Sequence, residues 1–258
     1  MKLAVAGKGG VGKTTVTALL ARAAAAQGYS VIAVDADPNP TLAQTMGVDP
    51  PPRPLLENYE LLAERVGQGV IRLNPFVEDL VERYGVEKDG VKVLVVGGIR
   101  AAGSGCACPA SALLRGLLRH LFLGTKEMVI VDLEAGVEHL GRATAQGVDA
   151  MLVVVDPDRR SIATASRIWE LAREIGISRI YALGNKGPKI SEISELLPPD
   201  LPLLGILPYS SAIAEAGKKG QPVPHIPEIQ RIWEQLEEVL GQRQNQEKTS
   251  KGGSGCPE

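Results

Sequence analysis

The sequence predicts an α/β fold: one domain built on a mostly parallel, doubly wound sheet with helices on both faces. Three observations predict it. Short runs rich in valine, isoleucine and leucine recur along the 258-residue chain, and longer stretches of helical periodicity separate them. Most of these short runs are continuously apolar instead of alternating, as strands are when both faces of a parallel sheet are covered. Strand–helix alternation sustained along the chain is the pattern of βαβ units. A hydrophobic content of 44% is ample for the core of one large α/β domain.

Strands are expected at 2–6 (KLAVA), 30–35 (SVIAVD), 91–97 (VKVLVVG), 128–132 (MVIVD), 150–156 (AMLVVVD), 179–185 (RIYALGN) and 201–207 (LPLLGIL). Helices are expected at 14–27, 56–67, 75–84, 109–122, 161–175, 189–197 and 228–241. The DPPPRP stretch at 49–54 reads as a rigid extended connector inside the domain, because strands continue on both sides of it. The end of the chain, 243–258, is polar and Gly/Ser-rich. The domain is therefore placed at 1–242 and the remainder is expected to be a disordered tail.

Composition excludes several functions. The formal net charge is −2 with no dense Lys/Arg block, and aromatic residues make up 3%. Neither a phosphate-tracking surface nor a base-stacking platform is expected, so nucleic acid is not an expected partner. No apolar run approaches the roughly 18 residues of a membrane span. The start, MKLAVAGKGG, is too short in apolar residues for a signal-peptide core, so a cytoplasmic location without a membrane partner is expected. Three cysteines make no disulfide framework, and a close pair of them points to metal or redox chemistry.

The strongest motif is GKGGVGKTT at 7–15, between the first strand and the first helix. It fits the phosphate-binding pattern G-x-x-x-x-G-K-[ST]. Glycines let the backbone curl so that its N–H groups converge on phosphate oxygens, and the helix N-terminus adds positive potential. Gly7, Lys8, Gly9, Gly10, Val11, Gly12, Lys13, Thr14 and Thr15 are the candidate nucleotide contacts. Lys13 would bridge the β- and γ-phosphates, and the Thr14 hydroxyl would ligate Mg²⁺. Gly7, Gly9 and Gly12 also fit G-x-G-x-x-G, but a dinucleotide loop does not need the Lys13-Thr14 pair.

Lys8, a second lysine at the start of the loop, makes the sequence resemble the deviant Walker A ATPases: MinD, ParA, the nitrogenase iron protein and several metallocentre maturation factors. The resemblance runs from residue 1 to about 240. It implies that Lys8 reaches the nucleotide of the other subunit in a homodimer. VDADPNP at 34–40 is similar to the family's first switch, with Asp37 in the place of the aspartate that orients the attacking water and Asp35 supporting it. MVIVDLEAG at 128–136 is similar to the Walker B strand and second switch, which puts Asp132 near Mg²⁺ through water and gives Gly136 a mobile role. GNK at 184–186 resembles the base-reading segment, with Asn185 at the adenine edge and Lys186 beside it. GILPYSSAIAEAGKKGQPV at 205–223, with Pro208, resembles the base-binding loop and helix. ATP or ADP with Mg²⁺ is the implied cofactor, and Lys8, Lys13 and Asp37 are the implied catalytic residues.

Cys106 and Cys108 stand in GSGCACPAS, just before a helix that Pro109 would open with Cys108 as its cap. Thiols there feel the positive end of the helix, which favours the thiolate that binds metal. One C-x-C supplies two ligands, a closed tetrahedral site needs four, and a two-fold homodimer would supply the rest. Four soft sulfur ligands suit Zn²⁺, accept Ni²⁺ and are compatible with an Fe–S cluster. Packing, a redox pair, or metal binding by His139 or Cys256 are the other readings of these residues.

This arrangement resembles the CooC-type ATPases, including the AcsF type, which carry this C-x-C and a second switch like DLEAGVEHLGRATAQGVD at 132–149, with Glu134, Glu138 and His139. The resemblance implies ATP-dependent nickel insertion into a client, carbon monoxide dehydrogenase or acetyl-CoA synthase. The electron-transfer reading needs a second cluster cysteine after the Walker B switch, and none follows Asp132 before Cys256. A MinD-like positioning ATPase needs an amphipathic C-terminal helix, and a ParA-like one needs a basic surface. An Fe–S assembly scaffold is the nearest rival, although scaffolds of that kind use C-x-x-C.

Overall fold

A computed structural model of the chain describes residues 1–67, 72, 75–97, 108–121, 124, 126–134, 147–187 and 193–251, with backbone only at 108–111 and 242–251. Eight strands form one sheet: β1 (Lys2–Gly7), β2 (Ser30–Asp35), β3 (Val86–Lys88), β4 (Val91–Val95), β5 (Glu127–Asp132), β6 (Ala150–Val155), β7 (Ile180–Asn185) and β8 (Leu203–Leu207). Their spatial order is β3-β4-β2-β5-β1-β6-β7-β8, and every neighbouring pair is parallel except β3/β4. The seven expected strands are all present, shifted by at most two residues at their ends.

β3 is an addition. Asp89 and Gly90 both have positive φ, 52° and 73°, and turn the chain back into β4. An Asp-Gly pair is a tight-hairpin signal. The edge strand it creates is three residues long, with Val86 and Glu87 exposed, so it offers little edge for another chain to pair with.

The helices are α1 (Lys13–Ala26), α2 (Leu42–Thr45), α3 (Tyr59–Arg65), α4 (Leu80–Tyr84), α5 (Cys108–His120), α6 (Arg159–Glu174), α7 (Ser211–Lys218) and α8 (Glu228–Lys251). Local chemistry sets several starts. Asn58, Asp158 and Ser210 each accept a backbone N–H of the first turn from a cap position. The helix expected at 56–67 is split into a 3₁₀ turn at Leu55–Glu57 and α3, because Asn58 caps a new start. The helix expected at 75–84 shrinks to α4. Pro75 lies ahead of it, and the Asp79 carboxylate accepts from Arg65 and Arg83 instead of capping. Of the helix expected at 189–197, residues 189–192 lie outside those described, and 193–197 hold a short helical turn at 193–194 that gives way to a turn. The last helix continues past 241 to Lys251, into the polar end of the chain, while 252–258 with Cys256 lie outside the described residues.

Successive strand residues serve opposite layers. Leu3 and Val5 join the core under α1 and α8, with Leu20, Trp233 and Leu236. Ala4 and Ala6 join the core on the other face, with Leu113 and Leu117 of α5 and Ile162 and Ile168 of α6. This double burial is why the strands read as continuous apolar runs. The chain moves outward from β1 through β2 to β4, returns to β5, and continues on the other side through β6 to β8. Strand order therefore reverses around β1, and the crevice beyond its carboxyl end is where open α/β sheets bind ligands. No helix among the described residues is long and apolar enough to cross a membrane.

Trp233 is fully buried and meets the ring of Tyr29 edge-on at 5.3 Å, while its indole nitrogen has no hydrogen-bond partner among the described residues. Its contribution is therefore apolar. Trp233→Ala should cost about 3–5 kcal/mol in urea unfolding, and Trp233→Phe much less. Equal losses in both would mean that the indole nitrogen, not the buried area, matters there.

Candidate functional site

The phosphate loop connects β1 to α1 at the reversal point. Two of its glycines are required by geometry. Gly7 has φ +147°, and a Cβ there would strike the Val154 carbonyl oxygen of β6. Gly12 has φ +100°, and a Cβ there would strike the Asn185 amide nitrogen. The loop is braced from β7: Asn185 Nδ2 donates to the Val11 carbonyl at 2.7 Å, and Lys186 Nζ donates to the Gly10 carbonyl at 2.8 Å. Val11 itself is fully buried and anchors the turn.

A cleft of about 400 Å³ opens over this loop. Gly9, Gly10, Gly12, Lys13, Thr14 and Thr15 line it from the loop side, together with Asp37. Asn185, Lys186, Pro208 and Tyr209 line it from the far side. The volume is that of a small-molecule site. The first amides of α1 have no partner within the helix, as at any helix start, and none of the first-turn residues is acidic. Such an end attracts an anion. Lys13 is nearly buried and its amine donates across the loop to the Lys8 carbonyl at 3.4 Å.

Three aspartates stand near the carboxyl ends of β2 and β5, and of these Asp37 lines the cleft. Asp132 ends β5, and one of its oxygens accepts from the Thr14 hydroxyl at 2.6 Å. Its other oxygen is buried with no hydrogen-bond partner among the described residues. Burial is the main cause that lifts its pKa to about 7; Asp35 and Asp37 add to the lift, while the Thr14 hydrogen bond and Lys13 oppose it. Asp35 ends β2 in register with Asp132 and is fully buried. Its carboxylate accepts the Leu42 and Asp37 amides at 2.8 and 3.1 Å, and burial raises its pKa to about 6. Asp37 is half-buried, accepts the Asn39 amide at 2.8 Å, and reaches the cleft. Asp35 thus holds the turn, and Asp37 is presented to the cleft.

Lys8 does not line the cleft. Its amine forms an ion pair of 2.7 Å with Asp158, just after β6. Asn185 touches the cleft, yet its amide is committed elsewhere: besides the Val11 contact, its oxygen accepts the Lys186 amide at 3.1 Å. Sequence reasoning missed Asp158 and Tyr209. Asp158 was legible as a cap residue in DPDRR, and Tyr209 as an aromatic beside Pro208.

Cys106, Gly136, Glu138 and His139 lie outside the described residues. Cys108 is the first residue of α5, one position earlier than expected, with Pro109 in the first turn. Among the described residues no group of His, Cys, Asp or Glu is arranged to hold a metal ion.

A family model described as the CobQ/CobB/MinD/ParA nucleotide binding domain matches residues 2–223. The chain is 42% identical, over 85% of its length and 88% of the relative's, to the carbon monoxide dehydrogenase accessory protein CooC of Rhodospirillum rubrum. It is 41% identical, over 86% of its length and 91% of the relative's, to an uncharacterized ATP-binding protein of Methanocaldococcus jannaschii. An iron-sulfur cluster carrier protein of Aquifex aeolicus is 28% identical over 84% of this chain and 59% of its own length. Among solved structures, the MinD cell division protein of Aquifex aeolicus superposes with a TM-score of 0.66 at 22% identity, covering 93% of this chain and 96% of that one. That likeness is one of fold.

The lifted pKa of Asp132 has a consequence for the protein free of nucleotide and divalent ions. Unfolded, the group titrates near 3.8; folded, near 7. Between these values the folded protein keeps a proton that the unfolded chain has released, so stability falls as pH rises through the window. Asp132→Asn removes the penalty. Its gain in unfolding free energy should be larger at pH 8 than at pH 5, by on the order of 2 kcal/mol. A pH-independent gain, measured in EDTA, would show that the buried carboxylate is not what titrates.

Proposed function

The chain belongs to the CobQ/CobB/MinD/ParA nucleotide-binding family and is an ATPase, and we propose that its ATP cycle drives nickel insertion into a carbon monoxide dehydrogenase. The observation that carries this reading is the identity of 42% with CooC over most of both chains. The iron–sulfur carrier reading has weaker support, at 28% identity.

The site residues have roles that follow from their placement. Lys13 spans the loop and would move its amine onto the β- and γ-phosphates, where its charge stabilises the transferring group. Thr14 Oγ1 and the unpartnered oxygen of Asp132 form a hard oxygen donor set that fits Mg²⁺, Thr14 directly and Asp132 through water. When bound, that ion neutralises charge on the phosphate oxygens. Asp37 orients the attacking water from the turn that Asp35 fixes. Asn185 and Lys186 keep the loop in its binding shape through Val11 and Gly10, and Pro208 closes the far wall. Lys8 acts on the partner subunit's nucleotide, so ATP becomes part of a homodimer contact.

Nickel is the cargo. Cys106 and Cys108 of both protomers would hold one Ni²⁺, or Zn²⁺ in its place, by four thiolates on the two-fold axis. ATP closes the dimer, and the closed dimer completes the thiolate site.

Lys13→Ala should lower ATP turnover by about 100-fold or more, since it removes a charged donor to the reacting phosphate. Turnover within a few fold of wild type would remove Lys13 from the catalytic set. Reduced, anaerobic protein should bind one Ni²⁺ or Zn²⁺ per dimer in the presence of ATP. The Cys106→Ala/Cys108→Ala double variant should bind none while keeping its nucleotide affinity. Stoichiometric metal in that variant would place the site elsewhere.

A further inference from the structure

The ion pair between Lys8 and Asp158 places the lysine that the proposed dimer needs in the grip of its own chain. The two charged atoms are 2.7 Å apart, with the Lys8 side chain 33% exposed and the Asp158 side chain 47% exposed. The two oxygens of Asp158 do separate jobs. Oδ2 takes the Lys8 amine, and Oδ1 accepts the Arg160 amide at 3.0 Å and caps α6. The lysine hydrogen bond, foremost, keeps the carboxyl below the usual aspartate range. The aspartate is itself placed by the fold, because β6 lies directly beside β1 and both strands end next to the loop.

We propose that Asp158 is a positioning residue that holds Lys8 in cis, and that dimerisation on ATP requires each Lys8 to exchange Asp158 for the phosphates of the partner's nucleotide. The proposal rests on the reading of Lys8 as the lysine that acts across the dimer. The physical logic is competition for one amine. A partly exposed carboxylate is a weak holder, because water and salt compete with it. A triphosphate carries more negative charge and accepts through several oxygens, so it wins once a second protomer presents it. The pair is therefore strong enough to set a threshold and weak enough to be displaced. Nucleotide-free protein keeps the lysine folded back on its own chain. Two such pairs must open for one dimer to form, so their effects multiply.

The substitution that isolates this role keeps the cap. Asparagine and serine cap helices about as well as aspartate, so Asp158→Asn and Asp158→Ser lose the ion pair and retain the hydrogen bond to Arg160. An exposed pair shifts an equilibrium by about 1.5- to 5-fold, so releasing two should tighten the ATP-dependent dimer by about 2- to 25-fold. The measurement is sedimentation or light scattering across a protein titration with a non-hydrolysed ATP analogue. Lys8→Ala runs beside it. The expected result is a dimer tightened in both Asp158 variants, with an unchanged melting temperature, and a dimer lost in Lys8→Ala. A Lys8→Ala protein that dimerises normally overturns the trans-acting lysine itself. A Lys8→Ala protein that fails to dimerise, beside Asp158 variants matching wild type, overturns only the holding role of Asp158. A dimer weakened by Asp158→Asn also overturns it, since the carboxylate would then belong to the dimer and not to the resting protomer.

Discussion

The hydrogen bond from the Thr14 hydroxyl to the Asp132 carboxylate is the contact around which the site is organised. It ties the first turn of α1 to the end of β5, and so fixes the phosphate loop against the centre of the sheet. Its setting is costly. Asp132 and Asp35 stand in register on adjacent strands, both buried, both with lifted pKa values. Burying two carboxylates side by side disfavours the charged form of each. One is compensated by two backbone amides. The other keeps an oxygen with no protein partner among the described residues. A fold selected for stability alone would place an apolar residue at that strand end. The unsatisfied oxygen is a stability cost carried by the resting protein, and a cation with its water shell is what would relieve it.

Asp35 also ties the turn bearing Asp37 to the residues that follow β4. The Asp35 carbonyl accepts the amides of both Val96 and Gly97, at 2.9 and 3.1 Å. Gly97 has φ +80° and packs against Pro54, and the Leu56 amide donates to the Val96 carbonyl at 3.1 Å. Gly97, nine residues before Cys106 in the sequence, is therefore bonded directly to Asp35, whose side chain holds the turn bearing Asp37. A displacement of that turn would reach Val96 and Gly97 by a short route of main-chain hydrogen bonds. Side-chain substitution would alter it only by deforming the backbone.

Where the sequence was readable, one dominant force wrote the signal. Double-sided burial made β2 legible to the residue and the other six expected strands nearly so. The phosphate loop was legible because its glycines answer to steric limits: a Cβ at Gly7 or Gly12 has nowhere to go. Elements governed by competition were harder. At 75–84 the helical periodicity was real, but Asp79 serves two arginines in space, and that choice is invisible along the chain. Asn185 illustrates the same limit within the site. It lines the cleft from the end of β7, yet its amide turns to Val11 and Lys186, a partner choice that only the folded register reveals. The β3 hairpin was a different kind of miss: Asp89-Gly90 announced it, but three residues are too few for periodicity to register.

Electrostatics also bears on why the thiol pair sits where it does. In the proposed homodimer site, four thiolates around one divalent ion would leave two negative charges to be accommodated on the two-fold axis. Such charge needs compensation that survives the exclusion of water. The second cysteine of each pair begins α5, a helix of 13 residues with Arg119 and His120, and no acidic residue, in its terminal turns. A helix of that length presents roughly half a positive charge at its start. Two of them, brought together by the two-fold, would offset about half of the excess. A thiol pair in the middle of a loop would lack this compensation. If the proposed thiolate site forms, the start of α5 is therefore a place where the helix would oppose its excess charge.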